Sequence, residues 1–179
     1  RRLLSLARQD DPPFRGAGFG TGDIFEIGRT TNLVVDSADG EWKNGLEAAV
    51  LTLRRALSFG FTDAEVAEQV ASTLSAQQNA AASADTRSNS ALMAEALELV
   101  SGEQVPSTPK SALERLERFL PYISPAAVLA ALRNDAVPLV NPIIRFTGRT
   151  APAGGTGELR AAWNPAMAAP IAPLEIGAQ

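Results

Sequence analysis

Phe14-Arg15-Gly16-Ala17-Gly18-Phe19-Gly20-Thr21-Gly22-Asp23-Ile24-Phe25-Glu26-Ile27 runs almost directly into Arg29-Thr30-Thr31-Asn32-Leu33-Val34-Val35-Asp36-Ser37, and these two runs decide the fold class. Glycine at the alternate positions 16, 18, 20 and 22 strips one face of an extended strand of side chains. A strand of that kind is expected where something approaches the backbone closely. The second run is rich in β-branched residues and closes in the turn-like Ala38-Asp39-Gly40. Two successive antiparallel strands are predicted.

Upstream, Gln9-Asp10-Asp11-Pro12-Pro13 breaks any helix, because proline lacks an amide proton and pushes the residue before it toward extended geometry. Arg1 to Arg8 has the leucine spacing of the end of a helix, whose beginning is expected to lie upstream in a longer protein. Downstream, Trp42, Leu46, Ala49, Leu53 and Leu57 recur at helical spacing, with Gly60 just past the end. Thr62-Asp63-Ala64-Glu65 has the form of a capping box, in which hydroxyl and carboxylate each satisfy an orphan backbone amide. The helix that starts there could run to Leu99, with its break expected in the Ala, Ser and Asn-rich stretch 80–89.

Pro106 to Pro109 reads as a loop, Ser111 to Glu114 as a second capping pattern, and Leu113, Leu116 and Leu120 as a short helix stopped by Pro121. Ser124-Pro125 opens another helix through Leu132. In the apolar run Val137 to Phe146, Pro138 and Pro142 forbid regular pairing, so Ile143 to Thr147 is predicted as an edge strand. From Gly148 the chain turns to Gly, Pro and Ala with a short helical stretch at Glu158 to Trp163. The expected organisation is a domain over 1–149 and a Pro/Ala-rich linker or extension over 150–179.

The 179 residues suffice for a core without disulfides, and 45% hydrophobic with 20% charged residues is an ordinary folded composition. A net charge of -4 supplies no basic footprint for nucleic acid. No apolar run approaches the roughly 20 residues of a membrane span. With no cysteine, the compartment is left open between periplasm and cytoplasm.

The chain contains no His and no Cys, which removes the usual zinc ligands and the imidazole of serine and cysteine hydrolases. A Ser-Lys dyad would have to use Lys43 or Lys110, both expected as solvated surface lysines. Asp10, Asp11, Asp23, Glu26, Asp36 and Asp39 are the candidates for paired-carboxylate chemistry, and none has a distinctive spacing. The Gly16 to Gly22 run matches neither G-x-G-x-x-G nor the P-loop, so tight packing is preferred to a phosphate cradle. Trp42 and Trp163 are expected as core or interface aromatics. No catalytic, cofactor-binding or metal-ligating residue is assigned.

Taken in order, the helix end, the glycine-alternating strand, the β-branched strand, Asp39-Gly40-Glu41-Trp42-Lys43, the amphipathic helix and Gly60-Phe61-Thr62-Asp63-Ala64-Glu65 resemble the companion lobe of insulinase-like (pitrilysin-type) zinc metallopeptidases. Arg54-Arg55-Ala56-Leu57 before Phe59-Gly60-Phe61, and Ser124-Pro125-Ala126-Ala127-Val128, are its most specific pieces. In that family the zinc is held by an H-x-x-E-H helix in a preceding lobe, which no segment here matches. Tyr122 sits in a setting, Leu120-Pro121-Tyr122, that does not carry over the family's substrate-holding tyrosine. The resemblance implies an α+β lobe with an antiparallel or mixed sheet covered mainly on one face by helices. It implies a non-catalytic wall of a substrate chamber, partnered by the zinc-bearing lobe and the second half of the same parent chain, with zinc in the parent protein and a peptide as its substrate. Two other functions fit the residues: a scaffold domain of an inactive relative, and an independent small-ligand module using the glycine-rich strand.

Overall fold

The fold is α+β, seen in a computed structural model that describes residues 1–24, 27–102 and 107–174, with side chains excepted over 98–102. Contacts divide the chain into two units, residues 1–60 with 129–179 and residues 61–128; the boundary after 60 falls between two helices and that after 128 within one.

The first unit begins with a short helix, α1 (Arg2–Leu6), and the hairpin of β1 (Gly16–Ile24) and β2 (Gly28–Asp36). The strands are antiparallel, in a register that sets Ala17 opposite Val35, Phe19 opposite Leu33 and Thr21 opposite Thr31. Side chains alternate across a strand, so these three pairs share the covered face while Gly18, Gly20, Asn32 and Val34 share the open one. Helix α2 (Trp42–Phe59) packs on β2, burying Gly45, Ala49, Val50, Thr52 and Leu53, a stripe at three- and four-residue intervals. It stops at Gly60, whose φ of 74° suits a residue without Cβ and whose amide closes on the Ala56 carbonyl at 2.9 Å.

Residues 150–179 were expected as linker or extension, but within them lies a fourteen-residue helix, α7 (Gly155–Ala168), that belongs to the first unit and packs on α2. Leu159, Trp163 and Ala166 are buried, and Val50, Trp163 and Ala166 form the centre of the core. The stripe is only three residues long and is interrupted by Pro165, which is why composition reads the segment as a linker.

The edge strand expected over Ile143 to Thr147 does not form: the sheet has two strands among the described residues. Residues 142–147 nevertheless alternate between half-buried and exposed positions, with Ile144 packed on the core and Ile143 99% exposed. The segment has the side-chain order of a strand without a ladder.

In the second unit α3 (Asp63–Ala82) carries the expected capping box: Thr62 Oγ1 accepts the Glu65 amide at 3.2 Å, and the Thr62 amide donates to Glu65 Oε2 at 2.8 Å. The break expected within 80–89 is a single 3-10 turn, Ala84–Thr86, before α4 (Asn89–Gly102). Helix α5 (Pro109–Phe119) packs on α3. Its cap is Thr108, which accepts the Ser111 amide at 3.2 Å, and not Ser111 as the sequence pattern suggested. Proline at the first helical position loses nothing, since that amide has no partner inside a helix. A 3-10 turn at Leu120–Tyr122 follows, and α6 (Pro125–Asp135) starts on Ser124, whose hydroxyl accepts the Ala127 amide at 3.2 Å.

Candidate functional site

The candidate residues scatter rather than converge. Lys43 opens α2 and is ion-paired to Glu158 at 2.6 Å while lying 5.5 Å over the Trp42 ring, so it is a tie between α2 and α7 and not a free lysine. Lys110 is exposed on the second residue of α5. Asp10 and Asp11 are exposed, Asp23 faces Arg29 at 3.9 Å, and Asp39 faces Arg149 at 3.8 Å. Glu26 lies outside the described residues. Among those described, no three His, Cys, Asp or Glu side chains gather to hold a metal.

The bare face of β1 is not closely approached. A Cβ built on Gly16, Gly18, Gly20 or Gly22 would meet nothing within 4 Å, which removes the observation that favoured tight packing there. Tight approach is found elsewhere, as at Gly45, where a Cβ would meet the Ser37 side chain and the Pro13 carbonyl oxygen, the latter at 3.0 Å. Trp163 is a core residue as expected, and Trp42 meets Phe146 edge-on at 5.8 Å between centroids. Tyr122 is 70% exposed against Phe119, 5.9 Å away.

One concavity lies in the first unit and was not indicated by any motif. It is a groove of about 240 Å³ bounded by β2 and the start of α2 on one side and by residues 142–147 on the other, with Leu46, Leu159 and Trp163 at its base. Its long wall is fixed at both ends. Val137 donates its amide to Thr31 Oγ1 at 2.7 Å, Leu139 and Ile144 pack on the core, and Phe146 sits against Trp42. Helix α7, which carries the base, is clamped at its C-terminus by Arg54, donating to the Ala166 and Ala169 carbonyls at 2.9 and 2.7 Å. At its N-terminus Glu158 accepts from Lys43 and from the Gly154 amide at 2.8 Å. The Lys43 hydrogen bond, followed by that of Gly154, holds the Glu158 carboxyl below its ordinary value.

Asp36 and Arg145 stand on opposite walls of the groove, and neither charged side chain has an ion-pair or hydrogen-bond partner among the described residues. Chemically the groove offers an apolar base, a polar rim and one charge of each sign. No family model, no curated protein and no solved structure matches this chain.

Proposed function

We propose that this chain is a non-catalytic α+β lobe of an insulinase-like zinc endopeptidase, a wall of the chamber beside the zinc-bearing lobe. The observation that carries this reading is that no described residue between Phe61 and Val128 is buried. Helices with Met93 61% and Phe119 58% exposed hold apolar surface that a neighbour must cover, because helices in water depend on tertiary packing of such faces. A lobe enclosed by the rest of a parent chain has that neighbour. With no His and no Cys in the chain, this reading puts the hydrolytic chemistry in another lobe.

Sequencing the native gene upstream of Arg1 tests the proposal. An H-x-x-E-H segment with a further downstream glutamate supports a companion lobe of an active enzyme. A similar lobe without those residues favours a scaffold of an inactive relative, and no such lobe sinks the family assignment. With the parent protein in hand, amide exchange over 61–128 is expected to be slower than in the isolated chain.

A further inference from the structure

We infer that the groove beside β2 is a slot for an extended peptide strand contributed by another chain, which completes the sheet by pairing with both of its walls. Three observations converge on this occupant, independently of the family reading.

The first is parity. Along β2 both the covered residues Leu33 and Val35 and the open-face residues Asn32 and Asp36 line the groove. On the other wall the half-buried Ile144 and Phe146 line it together with the exposed Ile143 and Arg145. Side chains of one parity line a space above a sheet face; both parities line a space only where it runs along the backbone edge. The groove therefore lies between two strand edges.

The second is that both edges lack a ladder. Among the described residues the sheet is β1 and β2 alone, so none of them pairs with the far edge of β2, and residues 142–147 belong to no sheet although they carry β-branched residues in strand order. Unpaired strand edges are templates for an added strand, whose main-chain hydrogen bonds give affinity and whose alternate side chains give specificity.

The third is the lining. The base formed by Leu46, Leu159 and Trp163 favours apolar side chains on the inward face of an entering strand. Asp36 and Arg145, without an ion-pair or hydrogen-bond partner among the described residues, offer one opposite charge each to its outward face. In the antiparallel register that overlays residues 142–147 of a second copy on those of the first, Arg145 faces Ile144 and its charge finds no partner, whereas a heterologous strand can set an acidic residue opposite it.

The experiment uses the full chain and a capped peptide of alternating valine and threonine with one central glutamate. Recognition by main chain is tolerant of side chains, so this generic sequence suffices. The expected result is a saturable change in tryptophan emission, since Trp42 and Trp163 line the groove, with slowed amide exchange in both 31–36 and 143–147. Arg145→Pro, which removes a backbone donor at an exposed position, is expected to weaken binding by about tenfold or more. Arg145→Ala, which keeps the donor, is expected to weaken it by less. Equal binding by Arg145→Pro, protection of only one wall, protection that grows with protein concentration and not with peptide, or no response to the peptide would each overturn the inference.

Discussion

Replacing Trp163 by alanine should remove much of the stability of the first unit, although the residue stands in a stretch with the composition of a linker. The side chain is 5% exposed and meets Val50 and Ala166 at the centre of the core. A buried tryptophan hides about 150–250 Å², worth roughly 5 kcal/mol at about 25 cal/mol/Å², and truncations of buried aromatics cost about 3–5 kcal/mol. A cost near 4 kcal/mol is a large fraction of the roughly 5–15 kcal/mol that holds a domain together. With a urea dependence of about 2 kcal/mol/M, the unfolding midpoint followed by far-UV circular dichroism should fall by about 2 M. Trp163→Phe should lie between the two. Val140→Ala, at a position 83% exposed, should stay within about 0.5 kcal/mol of the parent. If Trp163→Ala shifts the midpoint no more than Val140→Ala does, α7 is not part of the core and the reasoning fails.

Glu158 has a lowered pKa, so its folded carboxyl ionises more readily than in the unfolded chain, and the stability it lends is present above the ordinary value of 4.5 and lost as pH falls below it. The difference in urea midpoint between pH 7 and pH 3 should accordingly be smaller for Glu158→Gln than for the parent, and equal differences would refute the tie to Lys43. Gly20→Thr should be neutral or slightly stabilising in thermal unfolding, because its Cβ enters open space on a strand, whereas Gly45→Ala should lower the melting temperature by crowding Ser37 and the Pro13 carbonyl. Thr62→Ala should cost about 1 kcal/mol through the lost cap, read as faster amide exchange in the first turn of α3, with Thr62→Ser restoring most of it.

Elements specified by contacts between near neighbours in the chain are legible in the sequence. The helical stripe of α2, its stop at Gly60, the Thr62–Glu65 capping box and the two strands of the hairpin all depend on periodicity or on groups within four residues of one another. The absence of His and Cys likewise follows from composition alone and disposes of whole classes of chemistry.

The remaining features depend on what lies across space. Leu159, Trp163 and Ala166 become core only because α2 presents Val50 to them, some hundred residues earlier in the chain, and the ties from Lys43 and Arg54 that hold α7 span similar separations. The alternation of glycines determined that one face of β1 would be bare, but not whether anything would lie against it; the tertiary structure leaves it open. Residues 143–147 have the side-chain order of a strand in the sequence and keep it in the fold. A ladder, however, needs a second backbone at hydrogen-bonding distance, and only the tertiary structure decides that β2 stands across a groove from them rather than beside them.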